Sequence, residues 1–150
     1  MTSTSITANV LKMIGTKDSS TSITRNLSIE YYDLLPYINI GTGDDQFTIV
    51  NGGYAFAIKI GAYVIMAFND ITFNTPLTSG YRDLLKTNLP DALRPLNRRV
   101  VGIIFGGNAN VIDALINIDG EIRLYITLVP NPNRLGLYGT FAYFTNPSFE

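Results

Sequence analysis

The sequence predicts an all-β protein: an antiparallel Greek-key β-sandwich or barrel that forms a head behind a short N-terminal arm. Two observations support this prediction. From Gln46 onward, short runs rich in aromatic and β-branched residues are separated by Gly, Asn and Asp turn signals about every 8–12 residues, as in sandwiches and barrels. Among these runs, a hairpin around Ile118-Asp119-Gly120 has a register that its own apolar pattern determines.

This hairpin collects its apolar residues on one face if its loop has three residues. Such a loop pairs Asn117 with Glu121, and the apolar pairs on one side are then Ile116/Ile122, Ala114/Leu124 and Ile112/Ile126. A two-residue loop would place apolar and charged side chains on the same face, because side chains alternate in direction along a strand. The three-residue loop requires a residue at positive φ, which Gly120 supplies.

The chain is predicted to divide into an N-terminal attachment arm, residues 1–45, and a head domain, residues 46–150. The first 28 residues are rich in Ser and Thr, and their spacing does not decide between a short helix and a strand. A frayed terminus is the alternative to an arm. Ser28 can cap a short helix that Pro36 ends, although Tyr31-Tyr32 also suits a strand.

Residues 41–45, with the sequence GTGDD, are interpreted as a turn. A cation or phosphate site is the alternative, but the stretch lacks the Lys of a P-loop and the ligand spacing of an EF-hand.

The head elements follow in order. The predicted strands cover residues 47–50, 54–59, 62–68, 71–74, 100–105, 111–117, 121–129 and 137–145. Residues 76–88 are predicted to be a connection with one helical turn at 81–86, and residues 130–136 a polar loop. Pro90 and Pro95 are expected to hold the intervening chain extended.

The composition excludes several classes of partner. Hydrophobic residues make up 46% of the 150-residue chain and charged residues 15%, below the roughly 25% typical of globular domains. This deficit indicates a surface covered by further copies of the chain or by a partner; a neutral surface rich in Thr, Asn and Gly is the alternative. With a net charge of −1, nothing draws the protein to nucleic acid or to an anionic membrane. We expect no membrane insertion and no signal peptide.

The chain also lacks the side chains that most enzymes use. It has neither Cys nor His, so a Ser-His-Asp triad, a Cys nucleophile and the usual zinc ligands are missing. A carboxylate pair such as Asp113 with Glu121 or Asp119 can in principle hydrolyse a glycoside. We interpret these residues instead as a polar outer face and a turn, and we expect no catalysis, cofactor or metal.

The order of several motifs resembles a known family. An LP..LRP turn at 89–95, an apolar strand ending in Gly106-Gly107 and a strand–Asp-Gly–strand hairpin are similar to the C-terminal head of phage tail receptor-binding proteins, notably the lactococcal siphophage baseplate type. Upstream, residues 54–59, the Gly61 turn, residues 62–68 and Ile71-Thr72 resemble the hairpin that opens those heads. The similarity covers roughly residues 47–145.

The resemblance implies a homotrimeric head on a phage or prophage tail tip that binds a host cell-wall saccharide. The N-terminal arm is then expected to dock onto other baseplate or tail proteins, and the location is the virion, after synthesis in the host cytoplasm. Two alternatives stay open: a purely structural virion subunit without glycan binding, and a cellular lectin-like module.

The expected saccharide site combines the outer face of the hairpin with the segment that follows residue 80. Its candidate residues are Asp113, Asn117, Arg123, Tyr125, Tyr81 and Arg82. Some lactococcal heads place a His-x-Asp pair before the glycine turn and a Trp after it. The matching positions here are 115–117, with the sequence LIN, and Tyr125, so those sugar ligands do not carry over.

The basic residues of the segment after residue 80 offer a different reading of the site. They are Arg82, Lys86, Arg94, Arg98 and Arg99. Together they would suit an anionic glycan, although ion pairs within or between subunits are the alternative.

Overall fold

Nine antiparallel strands make up most of the described chain. The computed structural model describes residues 3–14, 22–75, 80–97, 99–106, 110–126 and 136–145, with side chains described for 29–75, 80–97, 111–126 and 136–145. The strands are β1 (Ser3–Ile14), β2 (Ser22–Asp33), β3 (Phe47–Ile60), β4 (Tyr63–Phe73), β5 (Gly80–Asp83), β6 (Arg99–Gly106), β7 (Asn110–Asn117), β8 (Ile122–Ile126) and β9 (Gly136–Phe144). In the same residues the helical segments are two single 3-10 turns, Leu35–Tyr37 and Asp91–Leu93. The all-β, antiparallel prediction is confirmed.

The strands pair in the order β1-β2-β3-β4-β9-β6-β7-β8-β5. This order divides into a first group, β1-β2-β3-β4-β9, and a second group, β6-β7-β8-β5. Among the described residues, β9 and β6 share just two residue pairs, Phe105–Tyr138 and Gly106–Leu137. One apolar core draws on both groups and on the connections. Its largest fully buried side chains are Phe47, Phe73, Leu34, Ile38, Met66, Ile71, Leu84, Leu89, Leu93, Ile112 and Ile116.

The β7–β8 hairpin has the predicted three-residue loop. The Asn117 N–H donates to the Glu121 carbonyl at 3.0 Å, the Gly120 N–H donates to the Asn117 carbonyl at 2.9 Å, and Gly120 has a φ of 89°. Ile112, Ala114 and Ile116 pair with Ile126, Leu124 and Ile122, and all six are buried. The parity argument is confirmed.

The prediction of four short strands between residues 47 and 74 is wrong. This part of the chain forms two long strands, β3 and β4. The turn at Gly61-Ala62 joins them, and the pairing shifts where residues 50–53 face Asp70. Asn51, Gly52 and Asp70 adopt positive φ values of 51°, 70° and 52° there. The Asn51-Gly52-Gly53 turn signal therefore forms a β-bulge within β3 and does not end the strand. The pairing of β3 with β4 continues on both sides of it.

Of the two readings of the stretch from Ser28, the helix is wrong and the strand is confirmed, since the stretch through Asp33 belongs to β2. Its residues Ile29 to Asp33 pair with β3, which places the Tyr31 ring 5.6 Å from Phe56 on the outer side and buries Tyr32 inside. Pairing with the sheet outweighs the weak capping signal. The division at residue 45 stays a prediction, although Leu34 and Ile38 already belong to the core.

The helical turn predicted at 81–86 is a strand, β5, at the edge of the second group. Tyr81 pairs with Tyr125 and Asp83 with Arg123. The next segment, expected to be extended between Pro90 and Pro95, contains the 3-10 turn Asp91–Leu93. It docks on the β7–β8 loop through the Leu89 N–H, which donates to the Gly120 carbonyl at 2.9 Å.

Candidate functional site

The outward side of β7, β8 and β5 is polar, and we call it the polar face. Alternation along the strands creates it, because the intervening residues of β7 and β8 are buried in the core. By register and alternation it consists of Val111, Asp113, Leu115, Asn117, Glu121, Arg123, Tyr125, Tyr81 and Asp83, of which Val111 and Leu115 are apolar.

A pair of tyrosine rings lies at one end of the polar face. Tyr81 and Tyr125 occupy paired positions on β5 and β8, with ring centroids 4.7 Å apart and planes tilted by 42°. Tyr81 is 64% exposed although it contacts Tyr125. On the other side Tyr125 pairs with Asp113. One carboxylate and two aromatic rings thus form a row across three strands, in which Tyr81 is exposed and Tyr125 and Asp113 are half-buried.

An ion group lies beside this row. The Arg123 Nε is 3.0 Å from Asp83 Oδ1 and 3.0 Å from Glu121 Oε1. The negative charges of Glu121 and Asp83 raise the pKa of the Arg123 guanidinium further, Glu121 having the larger effect. Glu121 also accepts a hydrogen bond from the Asn117 side-chain amide at 2.7 Å. Exposed ion pairs of this kind contribute little to stability. Their effect here is to hold a planar donor beside the tyrosine rings.

A groove continues from Tyr81 around the edge strand β5. It has a volume of about 270 Å³ and is lined by Asn39, Asp45, Tyr81, Arg82 and Asp83. The Arg82 guanidinium donates to the Asp44 carbonyl at 3.3 Å, lies 3.8 Å from Asp45 Oδ1 and sits over the Phe73 ring at 5.8 Å from its centroid. The groove and the polar face therefore meet at Tyr81 and Asp83.

The structure brings five of the six predicted site residues onto the polar face. Arg82 is the exception: it points to the opposite side of β5 and lines the groove. Within the chain, Tyr81 does not face the hairpin from across the site, because it lies in the same sheet as Tyr125.

Two basic residues of the segment after residue 80, Arg82 and Arg94, have separate partners, and Lys86 is exposed. Arg94 pairs with Asp91 at 2.8 Å and donates to the Leu89 carbonyl at 3.1 Å, whereas Arg82 binds residues 44 and 45. Arg98 and the side chain of Arg99 lie outside the described residues.

Sequence reasoning missed three parts of the site: Asp83, Asn39 and Asp45. Asp83 was missed because residues 81–86 were predicted to form a helical turn. The alternation of Tyr81 and Asp83 around Arg82 fits a strand and could have indicated one. Asn39 and Asp45 reach the groove through a turn in which the Gly43 N–H donates to the Gln46 side chain at 2.8 Å and Gln46 donates to Asn39 at 3.1 Å. No local pattern signals that contact.

Asp113 and Glu121, the pair considered for glycoside hydrolysis, are far apart on the polar face, whereas Asp83 and Glu121 both lie 3.0 Å from the Arg123 Nε. Asp113 lies four positions from Asn117, the partner of Glu121, which corresponds to about 13 Å along the strand. Glycosidase pairs are separated by roughly 5–9.5 Å, so Asp113 and Glu121 do not have that geometry. Across the described residues, no three Asp or Glu side chains cluster closely enough to hold a metal ion.

Two more observations bear on function. Within the described parts of the chain, no helix has the length and apolarity to cross a membrane. No protein-family model matches the sequence, and comparison with curated proteins found no match. The function must therefore be argued from the site itself.

Proposed function

We propose that the protein is a phage or prophage tail receptor-binding protein whose head binds a saccharide of the host cell wall. In this proposal the two strand groups pack as a sandwich, three copies form the head, and the N-terminal residues attach it to other tail proteins at the virion tip. The observation that carries the proposal is the exposed Tyr81–Tyr125 ring pair beside the Arg123 ion group.

Sugars present apolar C–H faces and hydroxyl edges, so their sites combine aromatic rings with nearby hydrogen-bonding groups. The ring pair supplies the first element. Asp113, Asp83 and Arg123 supply carboxylate and guanidinium groups within one or two register positions of the rings. The groove beyond Tyr81 offers space for a second sugar unit next to Asn39 and Arg82.

The charges of this region favour a neutral or amine-bearing saccharide over a phosphate-bearing one. Arg82 contacts Asp45, and Arg123 contacts Asp83 and Glu121. With Asp113 as a further acidic group of the polar face, four carboxylates stand against two guanidinium groups. An anionic ligand would meet these carboxylates, whereas a hydroxyl or ammonium group can bind them. This reading replaces the anionic glycan suggested by the basic residues of the sequence.

Removing either ring is expected to weaken saccharide binding at least tenfold while leaving the fold intact. Tyr81→Ala and Tyr125→Ala each delete half of the ring pair, and both positions lie on the solvent side of the sheet. The measurement is co-sedimentation of the purified full chain with insoluble bacterial cell walls from a panel of strains, and with polysaccharide released from them.

Ile118→Ala is the matched control, because Ile118 is 55% exposed on the adjacent loop but does not belong to the ring pair. It should bind cell walls as the wild type does. If the wild type binds walls and both tyrosine variants keep its affinity, the polar face is not the receptor site. If the wild type binds none of the panel, a purely structural tail subunit becomes the better account.

A further inference from the structure

The outer side of β2, β3, β4 and β9 is almost wholly apolar, and we call it the apolar face. Register pairing arranges it in three rows across the four strands. The rows are Ile29-Ile60-Tyr63-Phe144, Tyr31-Ile58-Ile65-Ala142 and Asp33-Phe56-Ala67-Thr140. Asp33 and Thr140, at the two ends of one row, are its polar members, and the Asp33 carboxylate accepts the Leu35 N–H at 3.0 Å.

Large side chains of this face are open to solvent in the single chain. Phe144 is 61% exposed, Tyr31 44%, Tyr63 40% and Ile60 36%. The rings are already ordered against each other: Tyr63 contacts Phe144 at 5.5 Å between centroids, and Tyr31 contacts Phe56 at 5.6 Å. An ordered apolar surface loses little side-chain entropy when a partner covers it.

The sequence of these strands fits a sheet covered on both sides. Strands buried on both faces read as near-continuous apolar runs, whereas half-solvated strands alternate. Residues 54–60, YAFAIKI, and 63–68, YVIMAF, contain one charged residue, and that residue, Lys59, is buried on the inner side. In contrast, residues 121–126, EIRLYI, alternate polar with apolar. The two outer faces of the molecule therefore have different chemistry.

We infer that the apolar face is the contact surface between copies of this chain. Twelve sheet positions at about 4.8 Å by 6.8 Å each span on the order of 400 Å², which is half of the roughly 800 Å² per partner in a stable interface. A second copy suits it because the face carries a single carboxylate, at its rim, so contact between the faces of neighbouring copies opposes no row of like charges. The low charge content of the whole chain, 15%, agrees with such burial.

This inference rests on the proposed function only for the number of copies, and it stands without glycan binding. Sedimentation equilibrium of the full chain at micromolar concentration is expected to give about three times the 16.5 kDa chain mass. Phe144→Lys places an ammonium at the most exposed large apolar position of the face and should weaken association at least tenfold, leaving mostly monomer. Circular dichroism checks that the variant is folded. If Phe144→Lys does not fold, the mass of Tyr31→Lys, a variant on the same face, is measured in its place.

Tyr81→Lys is the matched control, because Tyr81 is as exposed as Phe144 but lies on the polar face; it should keep the wild-type mass. A wild type that stays at 16.5 kDa overturns the inference, and so does an oligomer that both lysine variants of the apolar face leave intact. A wild-type dimer that Phe144→Lys dissociates supports the contact surface but contradicts the trimer. Loss of cell-wall binding with an unchanged mass concerns the saccharide site alone.

Discussion

Gly120→Ala is expected to destabilise the protein by about 3 kcal/mol. Gly120 has a φ of 89°, where a residue with a Cβ costs about 1–3 kcal/mol. The added Cβ would also lie 2.8 Å from the Leu89 carbonyl oxygen and 3.0 Å from its nitrogen. Both are backbone atoms, and the Leu89 N–H donates to Gly120, so the docked segment must shift to make room.

Gly52→Ala separates backbone strain from the close contact. Gly52 has a φ of 70°, but a Cβ there would have no atom within 4 Å. Its cost should be about 1 kcal/mol. Urea unfolding at one fixed protein concentration measures both variants, because association makes apparent stability depend on concentration. Equal losses for the two variants would show that the contact between Gly120 and Leu89 does not constrain the loop.

Phe47→Ala is expected to cost about 3–5 kcal/mol, a large share of the roughly 5–15 kcal/mol that stabilises a domain. Phe47 is fully buried and its ring lies 4.9 Å from that of Phe73. Its N–H donates to the Asn39 carbonyl and its carbonyl accepts the Gly41 N–H, both at 3.0 Å. The substitution opens a cavity where the 34–46 connection, which carries part of the groove, joins the sheet.

The same unfolding experiment gives the control for Phe47. Tyr81→Ala removes a similar ring that is 64% exposed, so its cost should stay below about 1 kcal/mol. A loss below about 1.5 kcal/mol for Phe47→Ala would mean that the connection and the sheet do not share a packed core.

The β7–β8 hairpin could be predicted in detail because one local rule decides its register. Period-two alternation admits a single loop length, and Gly120 supplies the required backbone conformation. Four of the six site residues, Asp113, Asn117, Arg123 and Tyr125, followed from this hairpin for the same reason, because the outer positions of an alternating strand can be counted from its turn.

The remaining features depend on partners far away in the chain. Tyr81 becomes part of a strand because it pairs with Tyr125, and Tyr31 because it pairs with Ile58. Asp83 meets Arg123 across 40 residues, and the Arg82 side chain reaches back to residue 44. Neither contact has a local signal. The bulge opposite Asp70 is the opposite case. There the local sequence signals a turn, but long-range pairing with β4 keeps the segment in a strand.

An NMR titration of the labelled full chain with soluble cell-wall polysaccharide tests the central claim, that the polar face binds a host saccharide. The polysaccharide is the one that the wild-type protein retains in the co-sedimentation experiment. The largest shift changes are predicted at Tyr81, Tyr125 and Arg123, with smaller ones at Asp113 and around the groove at Asn39. Shift changes confined to the first strand group, or no change at saturating polysaccharide, would contradict the claim.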